Sequence, residues 1–310
     1  MANLIKKIPI PFSGLMLATA ATGNLLQSYS ELFHTLFGAV AFIMFLLCLA
    51  KFILYPRLII EDHKNPVFAS VSGAFLMGTF FISVYLKSYL GIFAELLWFA
   101  DIVAYVVLMI YYTARFVRKL DIKEVYTGYL IVYVGPIAIT NTAPAFGMQL
   151  IGQIAFWVGF VLLIPTLILL AYRYMKHREI ADGLKPLFGI FAAPFSLCLV
   201  GYLKSFAHPS TGMIIGLLTF SLIFYLIGVC GIRSIYRYRF FPSFASYTFP
   251  FVNSAIALKL TIIYFQLGSF WRIVNDLQIV IAVSLVLYVF VRYLLYFAEI
   301  DVFQIKKYLI

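Results

Sequence analysis

Four histidines, three cysteines and twelve carboxylates are all that this 310-residue chain has for acid–base, nucleophilic or metal chemistry. They do not assemble into a site. His34, His63, His177 and His208 fall in loops or at the ends of apolar runs, and none stands beside a second ligand type on a helix face. The stretch "EDHK", Glu61 to Lys64, has metal-binding residue types, but its contiguous spacing reads as a solvated loop. Cys48, Cys198 and Cys230 each lie inside an apolar run with no Cys-x-x-Cys pair, the pattern of small buried hydrophobes. Nucleophile–base motifs, phosphate-binding glycine loops and dinucleotide fingerprints are absent from the sequence. The expectation is therefore a protein that is not an enzyme and has no cofactor and no metal.

Two carboxylates stand in apolar surroundings. Asp101 sits inside a long hydrophobic run, and Glu95 precedes it by six residues, so the two do not share a helix face. A carboxylate inside a membrane is costly and is a functional candidate by default. Two uses are open for Asp101: a bond to a neighbouring helix, or proton coupling. Arg292 and Glu299, seven residues apart, share a face near the end of the last run, where a structural role is expected.

The elements that would position these groups are set by composition. The chain is 64% hydrophobic and only 11% charged, with mean hydropathy +1.01. Soluble domains carry roughly a quarter charged residues. With so little charge the solvent must be mostly lipid. Aromatics at 18% suit membrane interfaces and bundle packing. The net charge of +11 does not point to nucleic acid, because the basic residues stand singly between apolar runs and form no basic face.

A helix needs about 20 apolar residues to cross a bilayer. Ten segments qualify: 9–27, 33–55, 67–86, 89–114, 127–146, 148–172, 186–206, 209–232, 243–265 and 273–298. Short loops pair them into five hairpins, 9–55, 67–114, 127–172, 186–232 and 243–298, of a single transmembrane domain. With the N-terminus in the cytoplasm, 19 of the 23 lysines and arginines fall on the cytoplasmic side, leaving Lys87, Lys204, Lys259 and Arg272 opposite. The positive-inside rule thus favours an even span count with both termini cytoplasmic. The opening "MANLIKKIPIPFSGLML" has a signal-like basic start, but no clear cleavage pattern follows before Asn24, so it is read as retained.

Odd spans are rich in small residues, as in "FSGLMLATAATGN" and "GPIAITNTAPAF", while span 10 reads "LQIVIAVSLVLYVFVRYLLYF". Small residues let helices approach closely, so odd spans are expected inside and even spans outside. The odd spans also share an offset. Pro9, Pro66, Gly128, Pro186 and Pro242 stand near their starts, and seven residues later come Met16, Gly73, Gly135, Ala193 and Phe249. In three copies a proline follows: Pro136, Pro194 and Pro250. Each would kink its helix and free the carbonyl four residues earlier, on Val132, Ile190 and Ser246. Five such helices in quasi-fivefold array would enclose a pore. Gly73, Gly135 and Ala193 would leave it wide, and Phe249, with Met16, would fill it.

Ten spans in five hairpins, the opening "PIPFSG" and "ASYTFPFVNSA" in span 9 resemble the tellurite-resistance/dicarboxylate transporter family, which includes bacterial TehA, plant guard-cell slow anion channels and fungal malate permeases. The resemblance covers nearly the whole chain. It implies a homotrimer in the cell membrane, a pore through each protomer, anion selectivity, and occlusion by a ninth-helix phenylalanine, which Phe249 matches. Met16 departs from the small residue that bacterial relatives tend to carry in the first helix. The long regulatory tails of the plant channels are absent from the sequence given.

Lys87, Lys204 and Lys259 lie near the ends of spans 3, 7 and 9. They would form an anion-attracting mouth, or snorkel to lipid headgroups. No Asp or Glu stands in the middle of an odd span, so nothing there favours cations. Thr140, Asn141 and Asn253 are polar groups available to the pore. Two readings of function follow: a passive channel for small anions, or a proton-coupled carrier of C4-dicarboxylates such as malate or of oxyanions such as tellurite.

Overall fold

The computed structural model describes residues 2–237 and 239–299. Lys306 and Lys307, counted above with the cytoplasmic charges, lie outside the described residues. Among these residues every regular element is helical. Ten apolar helical segments follow one another: α1 (Phe12–Leu26), α2 (Glu31–Leu54), α3 (Pro66–Leu90), α4 (Ile92–Val117), α5 (Gly128–Val134 with Ile137–Phe146), α6 (Gln149–Lys176), α7 (Asp182–Ser205), α8 (Thr211–Gly231), α9 (Pro242–Phe265) and α10 (Ser269–Phe297). Eight of them are long and apolar enough to cross a membrane. The two parts of α5 would make a ninth span, bent by 56°. At 15 residues, α1 reaches ~22 Å, short of a ~30 Å hydrocarbon layer on its own.

Local chemistry fixes the segment starts. The Ser30 hydroxyl accepts from the Leu32 amide at 3.2 Å and opens α2. Asn65 accepts from the Val67 amide at 2.8 Å, with Pro66 at the first helical position of α3, where its missing N–H costs nothing.

Burial separates the segments into two layers, as the small-residue pattern predicts. The apolar windows of α3 and α7 are 78% buried and that of α9 is 67% buried. Those of α2, α4, α6, α8 and α10 are 28–33% buried, so most of their surface faces outward. Each outer helix packs on the inner segment before it. The inner segments pack in sequence order, and α9 returns to pack on α1, which closes the ring.

The inner segments break at matching places. In α5 the bend falls at Gly135–Pro136. In α7 and α9 a 3-10 stretch, Asp182–Ala192 and Pro242–Tyr247, gives way to α-helix at Pro194 and at Phe249. α3 breaks at Ser72 without a proline. There the Ser72 hydroxyl donates back to the Ala69 carbonyl at 2.6 Å, and Thr248 does the same to Ala245 at 2.6 Å. Such back-bonding competes with the helical ladder and bends it.

The carbonyls predicted to be freed by these prolines behave differently. The Ile190 carbonyl accepts from the Ala193 amide at 2.9 Å, because the turn has tightened to 3-10. At the α5 bend, the carbonyl reached by an outer helix is Ile131, not Val132: Tyr105 of α4 donates to it at 2.5 Å.

Candidate permeation pathway

A narrow cavity of about 60 Å³ lies inside the ring and draws its wall from all five inner segments. Each segment contributes one residue at a comparable place: Leu17, Ala74, Gly135, Ala193 and Phe249. One turn earlier in the chain come Gly14, Val71, Ile131, Ile190 and Ser246. The wall is apolar apart from the Ser246 side chain. Phe249 is 5% exposed, and its ring meets that of Phe81, on α3, edge to face, with centroids 6.1 Å apart and planes at 75°.

Phe81 belongs to the wall of a second cavity, about 340 Å³, at the C-terminal ends of the inner helices. The two cavities therefore meet at the Phe249–Phe81 pair. α7 shows the same succession along one helix, with Leu197 in the first wall and Val200 in the second. Nothing in the sequence pattern singled out Phe81. Its signal is its place one turn beyond Met77, which lines the first cavity.

Two of the five predicted lining positions are corrected by one residue. Met16 is fully buried and points at α3, where a Cβ on Gly78 would come 2.2 Å from its Cε. Leu17 takes its place on the cavity wall. Gly73 is likewise replaced by Ala74. α3 differs from α7 and α9 in helix type, while α5, counted from Gly128 and not from a proline, keeps the seven-residue offset. The first turns of α3 are α-helical, whereas those of α7 and α9 are 3-10. Seven 3-10 residues turn the chain by about 840° and eight α residues by about 800°, so equal faces fall at unequal offsets.

The glycines at this offset are also small for a different reason than the pore. A Cβ on Gly135 would stand 1.9 Å from the Tyr105 hydroxyl, and one on Gly73 would stand 3.3 Å from it. Gly135 thus makes room for Tyr105, and Gly73 for the close approach of Ile131 at 3.0 Å as well as of Leu108 and Tyr105. Gly135 still contributes its backbone to the cavity wall, as do Pro194 and Pro250 beside the neighbouring breaks.

The three lysines do not converge on one mouth. Lys87 donates to the Ala145 carbonyl and lies 5.4 Å from the Phe146 ring centroid, so it ties α3 to the end of α5. Lys259 lines the second cavity but is tethered, donating to the Leu25 carbonyl at 2.8 Å and to the Ser28 hydroxyl at 2.5 Å. Lys204 also lines that cavity, is exposed, and makes no hydrogen bond or ion pair among the described residues. At the rim, burial and the Asp276 carboxylate push the Tyr29 phenol up, so it stays neutral and donates to Asp276 at 3.4 Å.

Of the polar candidates, Thr140 is structural. Its hydroxyl donates to the Gly152 carbonyl at 2.7 Å and its carbonyl accepts from Ser205 at 2.7 Å. Asn141 and Asn253 line the second cavity. Among the described residues there is no cluster of three His, Cys, Asp or Glu that would hold a metal ion.

Comparison with curated proteins gave no match. A family described as "voltage-dependent anion channel" (SLAC1) matches residues 7–294, which takes in the first nine helical segments and all but the last three residues of α10. That is the family the resemblance pointed to, and its members are anion channels and transporters. A ring of inner helices with an apolar-walled cavity inside it suits such a protein. The chain belongs to the voltage-dependent anion channel family and is a multi-pass helical membrane protein of that type.

Proposed function

We propose that this protein is a passive channel for small anions whose pathway runs along the axis of the inner helices and is occluded by Phe249. The observation that carries this reading is the first cavity: every inner segment contributes to it, and it ends on the Phe249–Phe81 pair. A ring at that place excludes ions by filling space and by keeping water out of a narrow apolar passage. An ion forced through it without its water would meet a cost of several kcal/mol or more.

In this reading all ten segments span the membrane, in quasi-fivefold array. The turn formed by Pro9 to Pro11 extends α1 to the depth its own length does not reach. Both termini are cytoplasmic, in line with the 19 basic residues on that side and 4 opposite. The protein sits in the cell membrane and forms a homotrimer through its outer helices, whose exposed apolar faces are shared between lipid and neighbouring protomers. The first cavity then opens towards the cytoplasm and the lysine-bearing one towards the outside.

The test is anion current through the parent and Phe249→Ala, reconstituted in a bilayer, with chloride, nitrate and malate compared. Ohmic anion current that appears or rises at least 100-fold in the variant supports occlusion. Silence in both, from folded protein, refutes it.

A second reading is favoured by one observation. Asp101 of α4 is 5% exposed and its Oδ2 has no hydrogen-bond partner among the described residues. One turn on, Tyr105 bonds the Ile131 carbonyl at the cavity wall. This would let a proton on Asp101 be linked to the pathway, making the protein a proton-coupled carrier of dicarboxylates or oxyanions. Uptake that stops with Asp101→Asn, and that follows a pH gradient in the parent, would favour it over the channel.

A further inference from the structure

A groove of about 640 Å³ lies between the outer helices α4 and α6. Ile110, Ala114 and Pro165 of its wall are exposed, so it opens outward, away from the ring axis. α5 contributes Tyr129 and Tyr133 behind them. The rest of the wall is mainly aliphatic, and Arg118, just past the end of α4, is the one charged residue among the described residues that line it.

Arg118 reaches the groove through a change of helix type. α4 ends in a π turn, Thr113–Val117, after which the Arg118 amide donates to the Thr113 carbonyl, five residues back, at 3.0 Å. The residue five on, not four, thus completes the turn, and Arg118 comes round to the face that carries Thr113. In a continuing α-helix it would stand ~140° away from Thr113.

The threonine hydroxyls of the groove are satisfied within the protein. Thr113 donates to the Met109 carbonyl at 2.7 Å and therefore accepts from the Tyr133 hydroxyl at 2.7 Å. Thr166 donates to the Leu162 carbonyl at 2.7 Å. Arg118 is exposed, and its side chain makes no hydrogen bond, ion pair or ring contact among the described residues.

A free guanidinium beside an apolar slot fits an amphiphile with an acidic head and hydrocarbon tails. The planar fork of arginine takes two phosphate oxygens at once, and the aliphatic wall takes an acyl chain. Basic pockets between membrane helices on the cytoplasmic side suit acidic headgroups, and the proposed topology puts Arg118 on that side. A second copy of the chain is a poorer occupant. Copies related by an axis along the membrane normal share one orientation, so a neighbour would bring its own excess of basic residues to the level of Arg118.

We propose that the groove between α4 and α6 is a site for an anionic phospholipid of the cytoplasmic leaflet, with its phosphate on Arg118 and an acyl chain along Thr113, Ala114 and Pro165. The choice of leaflet rests on the proposed topology, and the site itself does not rest on conduction. The lipid would stand behind the pathway wall: Tyr129 and Tyr133 belong to the short helix Gly128–Val134, whose Leu130, Ile131 and Val134 line the first cavity.

The test is binding, read without current. The full chain in detergent is unfolded thermally with added phosphatidylglycerol, phosphatidylcholine of the same acyl chains, or glycerol 3-phosphate. Stabilisation converts to relative affinity through mass action. Phosphatidylglycerol should bind about 5-fold tighter than phosphatidylcholine, the effect of one arginine at an acidic headgroup. Glycerol 3-phosphate, a headgroup without chains, should not stabilise. Arg118→Gln should erase the preference and keep the binding of phosphatidylcholine. Ala114→Trp, at an exposed position, fills the slot and should weaken both lipids. Arg57→Gln, exposed on the same side but outside the groove, should keep the preference. Equal affinity for the two lipids overturns the proposal, as does a preference lost equally in Arg57→Gln and Arg118→Gln, which would be diffuse surface attraction. Lipid binding unchanged in Ala114→Trp, or stabilisation by glycerol 3-phosphate equal to that by phosphatidylglycerol, also overturns it. So does loss of the oligomer in Ala114→Trp, read by light scattering, which would mean that a neighbouring protomer fills the groove.

Discussion

Phe81 gives the sharpest test of the proposed occlusion. Its ring meets Phe249 edge to face at 6.1 Å, and both residues are buried. Such a contact is worth about 0.5–1.5 kcal/mol beyond the area it buries. If opening requires Phe249 to swing away, that contact is lost on opening. Phe81→Ala removes it from the closed state beforehand. The open-to-closed ratio should therefore rise by about 2- to 13-fold, the Boltzmann factor of that energy at an RT of about 0.59 kcal/mol. Phe249→Ala removes the plug itself and should act far more strongly. With no partner ring left, Phe81→Ala in that background should add little. Macroscopic anion current from the parent, both single variants and the double variant, at matched protein density, gives a complete cycle. Two results would refute the reasoning. Multiplicative effects would mean that the rings act independently. A Phe81→Ala current as large as that of Phe249→Ala would make Phe81 the principal plug.

Other consequences follow from the same geometry. Gly135→Ala drives a Cβ to 1.9 Å from the Tyr105 hydroxyl, so thermal unfolding in detergent should show a loss of about 1–3 kcal/mol, partly restored by adding Tyr105→Phe. Lys204→Met should lower conductance about 2- to 5-fold at 0.1 M salt and much less at 1 M, where the screening length falls from about 10 to 3 Å; equal effects at both would rule out an electrostatic role. Lys87→Met should leave anion permeability as it is while lowering stability, since Lys87 serves the Ala145 carbonyl and not the cavity; a change in selectivity would contradict this. Arg173 is 2% exposed and donates to the carbonyls of His177, Lys123 and Glu179, so Arg173→Met should cost about 2–4 kcal/mol in unfolding without altering ion selectivity.

The layering of the fold was legible in the sequence because lipid acts on composition directly. A helix facing lipid tolerates only bulky apolar side chains, whereas one packed on four neighbours needs small ones, and α10 and α5 display the two extremes. Segment ends were legible to within a few residues for the same reason. What was not legible is which residue of each inner helix faces the axis. Counting seven residues from a proline assumes one helix type, and α3 starts as α-helix where α7 and α9 start as 3-10 helix. Gly73 was therefore placed one residue out of register, and Met16 was out by the same amount with no such difference in helix type to explain it. Glycine's lack of a side chain also carries no direction: Gly135 serves an outer tyrosine, Tyr105, and Gly73 the approach of Ile131, neither of them near in sequence.

The sequence by itself determined a lipid-embedded bundle of paired apolar helices, small residues inside, and no acidic group in the middle of the inner spans. Burial and composition are properties of each segment against its solvent, and solvent reads composition and period. The tertiary structure alone decided that Phe249 is paired with Phe81, that only Lys204 of three lysines is free, and that two asparagines share its cavity. Those facts depend on which side chains meet across the ring, and meeting is set by rotation about helix axes and by contacts distant in the chain.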